Sequence, residues 1–139
     1  MKPKYWNKGI KYLSNNDKVL KNLIESYPNQ HLVLNSNHFH SLINSIIGQQ
    51  ISVSAADSVK KKFFKLNKNI TPITVLKFKT SQLKLCGLSR QKILYIRNIA
   101  NFFKNNKKFI KNIYKFSEDE ITQKLIEIKG VGQWTIHMF

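Results

Sequence analysis

The sequence predicts an all-α fold, a compact bundle of short helices. Apolar side chains recur at helical spacing along most of the 139 residues, and capping residues, prolines or glycines separate successive segments. Strand-like alternation of apolar and polar residues is rare. A chain of this length buries a real core, so we expect residues 1–139 to form one domain, as one compact unit or two small lobes.

Two short amphipathic helices are predicted in the N-terminal region. The first follows Pro3, which suits an initial helical turn, and its periodicity directs Leu13 inward. The second begins after Asp17, a good N-cap residue, and stops before Pro28. Both are therefore expected to pack through one apolar face.

The clearest helix begins after the capping residue Asn37 and ends at Gly48. Its apolar side chains fall at positions i, i+3, i+4, i+7 and i+8, which is one full stripe. These residues are Phe39, Leu42, Ile43, Ile46 and Ile47. We expect this helix to be the centre of the core, with a following helix that turns Val53 inward.

Three later helices have recognisable starts. Thr71 precedes Pro72 as a cap, Ser89 follows Gly87, and Ser117 lies three residues before Glu120 in a capping box. The last of these helices leads into a short glycine-containing turn near the C-terminus.

That turn consists of Gly130, Val131 and Gly132, and a new helix begins beside Trp134. Glycines let a partner approach the backbone, and the start of a helix presents unpaired N–H groups and a positive dipole end. The pattern suits a phosphate. An ordinary helix cap with a tight turn explains it equally well, so the segment alone leaves both interpretations open.

The composition favours a polyanionic partner. Lysine and arginine number 24 against 7 acidic residues, a formal net charge of +17. Only Arg90 and Arg97 are arginines, however, and abundant lysine, asparagine and isoleucine also arise from an AT-rich genome. Cys86, the one cysteine, excludes an internal disulfide and is expected to be buried. No signal peptide or membrane span is evident, so we expect a cytoplasmic, non-secreted protein.

Three segments together resemble the helix-hairpin-helix DNA glycosylase superfamily, in its DNA-3-methyladenine glycosylase II branch. They are residues 45–52 (SIIGQQIS), residues 85–92 (LCGLSRQK) and the Gly130-Val131-Gly132 turn, in the same order and spacing. The likeness runs from about Trp6 to Phe139. It implies an all-α domain with a helix-hairpin-helix motif at its C-terminus.

The resemblance also implies DNA contacts. The hairpin, with Lys129, Gly130, Val131, Gly132 and Thr135, is expected to hold a DNA phosphate without reading sequence. The loop after the central helix is expected to supply the side chain that fills the gap left by an extruded nucleotide. Our first choice is Gln49, the alternative being that a glutamine here only caps a helix. Further expected DNA contacts are Gln50, Ser52, Arg90 and Lys92.

Trp134 separates two kinds of chemistry within that superfamily. Bifunctional members carry a lysine at this position, whose amine forms a Schiff base. A tryptophan instead stacks on an extruded base, and a base alkylated on a ring nitrogen is cationic, which favours an electron-rich ring. Trp134 and Met138, one turn later, are therefore expected to line a substrate pocket; an ordinary core tryptophan is the alternative.

No catalytic residue can be assigned. The family aspartate that stabilises the sugar cation lies just beyond the second hairpin helix, and no acidic residue of this chain occupies that position. We therefore expect residues 1–139 to be a glycosylase domain incomplete at its C-terminus, which binds DNA without excising bases. Its fold should be marginal because Ile136 and Phe139 would lack a cover.

The leading hypothesis is a monofunctional DNA glycosylase of base excision repair, which flips alkylated bases such as 3-methyladenine and hydrolyses their N-glycosidic bond. It would act on damaged double-stranded DNA as a monomer, away from membranes, without metal or cofactor. The alternatives are a non-catalytic helix-hairpin-helix DNA-binding module and an endonuclease III-type lyase.

Overall fold

A computed structural model describes residues 2–33, 37–137 and 139. This part of the chain holds ten α-helices, one 3₁₀ turn (Ile113–Lys115) and no strand, which confirms the all-α prediction. The helices are α1 (Trp6–Asn16), α2 (Lys18–Ser26), α3 (His38–Gly48), α4 (Val53–Lys65), α5 (Pro72–Lys77), α6 (Thr80–Leu85), α7 (Arg90–Asn105), α8 (Lys107–Lys111), α9 (Glu118–Ile126) and α10 (Gln133–His137).

The chain divides into two compact units, Met1–Ser36 and Asn37–Phe139. In the first unit α1 packs against α2. The Asp17 carboxylate accepts hydrogen bonds from the backbone N–H groups of Val19 and Leu20 at 2.7 and 3.0 Å, so the predicted cap is confirmed. The prediction that Leu13 points inward is wrong, because 41% of it is exposed. A pair of helices covers only one face of each member.

The second unit contains a continuous apolar core built around α3. All five residues of the predicted stripe on α3 are buried, as expected. The helix packs against α4 and α7, and α7 also packs against α5. Ile96, Ile99 and Leu125 are fully buried in the same core, and Cys86 is buried as predicted. Val53 is an error of prediction, since 79% of it is exposed; it is the first residue of α4, one turn before the helix meets the core at Ala56.

Local capping interactions define the helix starts. Asn37, Thr71, Ser89 and Ser117 each accept a hydrogen bond from the backbone N–H three residues later, at 3.0 to 3.3 Å. Glu120 completes the Ser117 capping box by accepting from the Ser117 N–H at 2.8 Å. These helix starts are confirmed. None of the described helices combines the length and apolar character that crossing a membrane requires.

The C-terminal hairpin joins α9 to α10 and is anchored in the core. Ile128, Val131 and Ile136 are all buried. The expectation that Ile136 lacks a cover is wrong, because only 7% of it is exposed. Phe139 is partly buried against the same core, with its ring centroid 4.9 Å from that of His38. Packing between α9 and α10 supplies the cover that the sequence pattern did not reveal.

Candidate functional site

The three sequence segments that carry the resemblance meet at one cleft in the second unit. The cleft has a volume of about 740 Å³ and is open to solvent on one side. Its lining comes from the end of α3 and the following loop, from the start of α7, and from the start of α10. The lining residues are Ser45, Gly48, Gln49, Gln50, Ser89, Gln91, Lys92, Tyr95, Gly132, Trp134 and Thr135.

The loop between α3 and α4 contributes two glutamines with different surroundings. Gln49 is half-buried, and its Nε2 donates to the backbone carbonyl of Gly130 at 3.3 Å. Gln50 is exposed and has a φ of +56°, an uncommon backbone conformation for a residue with a side chain. Ser52 is the cap of α4, accepting from Ala55 N–H at 3.3 Å, and lies outside the cleft lining. Gln49 is therefore bound to the hairpin, whereas the side chain of Gln50 is exposed to solvent.

The first turn of α7 contributes Lys92, whose ammonium donates to the carbonyl of Ile47 at 2.7 Å. This carbonyl is near the C-terminal end of α3, where the helix dipole favours a cation. Burial lowers the pKa of Lys92 below its ordinary value.

Arg90 is exposed and lies outside the cleft lining. Arg97 donates to Phe78 O and to a threonine hydroxyl, both at 3.1 Å, so its guanidinium is bound within the fold.

The hairpin turn depends on Gly130. Its φ is +104°, and a Cβ atom there would overlap the ring of Tyr95. Val131 is buried, and its N–H donates to Ile128 O at 2.9 Å within the turn. Lys129 is exposed, and its carbonyl accepts from Asn98 Nδ2 at 3.2 Å. The side chain of Val131 thus holds the turn in the core.

The start of α10 presents Trp134 to the cleft with 77% of the residue exposed. This exposure rules out an ordinary core tryptophan. Gly132 is also exposed, whereas Thr135 is only 4% exposed, so we leave the Thr135 side chain out of the proposed DNA contacts. Met138 lies outside the described residues. An aromatic face and the backbone at the start of α10 therefore border the same cleft.

Acidic and metal-ligating groups do not gather at the cleft. No aspartate or glutamate is among its described lining residues, and no group of His, Cys, Asp or Glu in residues 2–33, 37–137 and 139 is arranged to hold a metal ion. His40 Nε2 lies 2.8 Å from Ile70 O, and burial lowers the pKa of His38. Both histidines therefore make contacts within the fold and do not form part of the cleft lining.

Sequence reasoning missed Tyr95 and Asn98 as residues of the site. They follow Gln91 by four and seven positions, so all three lie on one face of α7. That spacing was visible in the sequence as a polar stripe with one aromatic ring. Nothing local indicated its partner, because the hairpin lies about thirty residues further along the chain.

A helical domain in which a hairpin and the loop after the central helix border one open cleft, on a chain with a net charge of +17, is typical of helix-hairpin-helix proteins that bind DNA. The model of the family described as "HhH-GPD superfamily base excision DNA repair protein" matches residues 43–132, and the chain belongs to this family. The superfamily predicted from the sequence is confirmed.

Curated relatives and solved structures agree with this assignment. The chain is 30% identical over 112 residues to the DNA-3-methyladenine glycosylase of Saccharomyces cerevisiae, which covers 73% of this chain and 38% of that protein. It is 26% identical to DNA-3-methyladenine glycosylase 1 of Schizosaccharomyces pombe, over 91% of this chain and 57% of that protein. The chain therefore spans between 38% and 57% of these relatives' lengths.

The fold also matches the structure of the Schizosaccharomyces pombe 3-methyladenine DNA glycosylase in complex with abasic DNA. The TM-score is 0.80 at 25% sequence identity, covering 94% of this chain and 67% of that chain. The helical arrangement is therefore shared with a glycosylase that was captured on DNA.

Proposed function

We propose that this chain is the DNA-binding and base-recognising part of a monofunctional DNA glycosylase that removes alkylated bases such as 3-methyladenine. It would bind damaged double-stranded DNA as a monomer. The observation that carries the proposal is the exposed ring of Trp134 at a cleft bordered by all three family segments. Family membership and the names of the relatives support the same chemistry.

The hairpin is proposed to bind a phosphate of the DNA backbone. The first N–H groups of a helix lack partners within it, and Gly132 brings no side chain to cover them at the start of α10. Exposed Lys129 adds positive charge beside the turn, and the net charge of +17 adds long-range attraction. Such contacts position a protein on DNA without reading its sequence.

The side chain that fills the gap left by the extruded nucleotide is proposed to be Gln50, in place of our first choice, Gln49. Gln49 donates its amide to Gly130 O and would have to break that bond to enter the duplex. Gln50 is exposed at the mouth of the cleft, on a backbone with positive φ. Strained backbone of this kind is often found where a residue acts on a ligand.

Trp134 is proposed to stack on the extruded base. Stacking on an aromatic side chain contributes about 1–3 kcal/mol per base, and a cationic base adds attraction to the ring face. Tryptophan cannot form the Schiff base that a lyase requires, so the proposed chemistry is hydrolysis alone. No carboxylate lines the described part of the cleft, which favours DNA binding without excision by these 139 residues.

The test measures binding of the chain to a duplex with one N7-methylguanine, a cationic alkylated base, and to the same duplex unmodified. We expect Trp134→Ala to weaken binding to the modified duplex by about tenfold, because the stacking contribution is lost, and to change binding to the unmodified duplex much less. Tyr12→Ala, which removes an exposed aromatic residue of the first unit, should leave both affinities unchanged.

Three outcomes would count against the proposal. Equal affinity of Trp134→Ala and the parent chain for the modified duplex would remove the stacking role and favour the non-catalytic DNA-binding module. Release of 3-methyladenine from methylated DNA by residues 1–139 would contradict the expectation of binding without excision. If the parent chain binds neither duplex, the proposed function as a whole is overturned.

A further inference from the structure

Three side chains from outside the hairpin contact Lys129 and Gly130 in its turn. Gln49 donates to the carbonyl of Gly130 at 3.3 Å, and Asn98 donates to the carbonyl of Lys129 at 3.2 Å. The ring of Tyr95 occupies the space beside Gly130 that a Cβ atom would need. We call Gln49, Tyr95 and Asn98 the hairpin clamp.

We propose that the hairpin clamp sets the position of the hairpin relative to the cleft, so that Tyr95 and Asn98 are positioning residues for the phosphate contact. This inference rests on the proposed function and deepens it. Each member of the clamp acts through the hairpin backbone, and none belongs to the hairpin itself.

The carbonyls involved are ones that the hairpin leaves unpaired. Helix α9 ends at Ile126, so the carbonyls of Lys129 and Gly130 lie in the turn, outside the hydrogen-bond pattern of the helix. Ile128 O accepts the Val131 N–H inside the turn, at 2.9 Å. The next two carbonyls, of Lys129 and Gly130, are bound by clamp side chains. Two consecutive peptide groups are therefore oriented by residues from elsewhere in the fold.

The two clamp members on α7, Tyr95 and Asn98, share a helix face with Gln91, which is not itself part of the clamp. Gln91, Tyr95 and Asn98 follow each other at intervals of four and three residues, so they share a face of the helix. Gln91 Nε2 donates to the Tyr95 hydroxyl, which restrains the Tyr95 ring. Gln91 and Tyr95 also line the cleft, whereas Asn98 does not. Asn98 lies outside the cleft lining and its amide is bound to the hairpin, so it is the most direct position at which to test the clamp.

Gln49 adds a link between the two DNA-facing elements. It lies in the loop next to Gln50, and its bond to Gly130 spans 81 residues of chain. The loop that is proposed to enter the duplex is thus tied to the hairpin that is proposed to hold the phosphate. This bond restrains the position of the loop relative to the hairpin.

The core side chains of the hairpin are separate from the clamp. Leu125, Ile128, Val131 and Ile136 anchor α9 and α10 in the apolar core. Loss of one clamp side chain should therefore leave the fold intact and allow the turn to shift. The phosphate contact depends on the direction of backbone N–H groups, so a small shift is enough to weaken it.

The experiment compares Asn98→Leu with Asn101→Leu, the same change at an exposed position one turn later on α7. Binding to a duplex with a tetrahydrofuran abasic-site analogue is measured over a range of salt concentrations. We expect Asn98→Leu to bind about tenfold more weakly, the effect of losing one hydrogen bond to a charged group. The slope of log K against log salt should fall by about 0.9, because a turn released by Asn98 also moves the exposed Lys129 ammonium away from the phosphate that it neutralises.

Asn101→Leu should keep both the affinity and the slope of the parent chain. Tyr95→Ala should lose as much DNA affinity as Asn98→Leu. Tyr95→Phe should bind DNA nearly as well as the parent chain, because the ring, rather than the hydroxyl, contacts Gly130. Thermal unfolding of each variant separates a change in stability from a change in binding.

An Asn98→Leu variant with parental affinity and slope overturns the clamp while the proposed function stands. A lower melting temperature with an unchanged slope also overturns it, since that result describes a purely structural contact. A parent chain that does not bind the duplex removes the proposed function and the clamp with it.

Discussion

Two turns of this molecule have nearly the same construction. The first joins α6 to α7 through Gly87 and Leu88, and the second joins α9 to α10 through Gly130 and Val131. Both glycines have positive φ, +95° and +104°, and both following apolar residues are buried. In each case the glycine reverses the chain and the apolar side chain holds the turn against the core.

The two turns differ at the residue that follows. Ser89 accepts the Lys92 N–H at 3.2 Å and closes the start of α7. Gly132 occupies the equivalent place before α10 and has no side chain, with no atom within 4 Å of where a Cβ would lie. A single side chain therefore separates a helix start that is capped by a serine from one that has a glycine at the capping position, where we propose that a phosphate binds.

The largest effect is expected when the two glycines are replaced in parallel. Gly130→Ala should destabilise the chain by about 3 kcal/mol or more, because positive φ is unfavourable for alanine and its methyl group overlaps the Tyr95 ring. Gly87→Ala should cost only about 1–2 kcal/mol, since its Cβ would meet one methyl group of Val59 at 3.1 Å. Denaturant unfolding of both variants provides the measurement.

The same pair also distinguishes the roles of the turns. Gly130→Ala should abolish binding to abasic-site DNA even where the chain remains folded, whereas folded Gly87→Ala should bind as the parent does. Equal destabilisation by the two substitutions would show that the close approach of Tyr95 to the hairpin has no energetic weight.

A smaller loss of stability is expected when the cap at the turn between α6 and α7 is removed. Ser89→Ala removes the cap of α7 and should lower the free energy of unfolding by about 1 kcal/mol. The midpoint of urea unfolding should move down with an unchanged m-value. Thr71→Ala offers a matched comparison, because Thr71 caps the shorter helix α5 in the same manner. No shift for Ser89→Ala would mean that solvent replaces the cap without loss.

The smallest change in stability is expected when a capping side chain is added at Gly132, in the turn between α9 and α10. Gly132→Ser should raise stability by a few tenths of a kcal/mol, since serine caps a helix only slightly better than glycine. The serine oxygen would compete with a phosphate for the same N–H groups, so DNA binding should weaken several-fold. Gly9→Ser, at another glycine with open space around it, serves as the control for DNA affinity. Unchanged binding by Gly132→Ser would argue against the phosphate contact at this turn.

The errors of the sequence analysis share one cause. Leu13 and Val53 were expected inside and are exposed, and Ile136 was expected to be uncovered and is buried. Each judgement concerned which face of a helix another helix would cover. Helical periodicity identifies the apolar face of a helix. It does not show how much of that face a neighbouring helix covers. The stripe on α3 was predicted correctly because helices pack around this central element.

The candidate site shows the same division. The sequence indicated the three segments of the cleft, the hairpin glycines and Trp134 as a residue that lines it. It named both Gln49 and Gln50 but did not show that Gln49 binds the hairpin, and it did not reveal Tyr95 or Asn98. Those distinctions depend on which side chains meet the hairpin, and the members of the hairpin clamp come from two other elements.

The sequence by itself determined the family and the helices that have a recognisable cap, but it predicted a loop where the structure has α8 (Lys107–Lys111). These features depend on interactions within about four residues of the chain or on short motifs read in order. Only the tertiary structure decided that Trp134 is exposed, that Lys92 is bound to α3 and that Gln49 is bound to the hairpin. The last two bonds span 45 and 81 residues, and no local pattern encodes a partner at that distance.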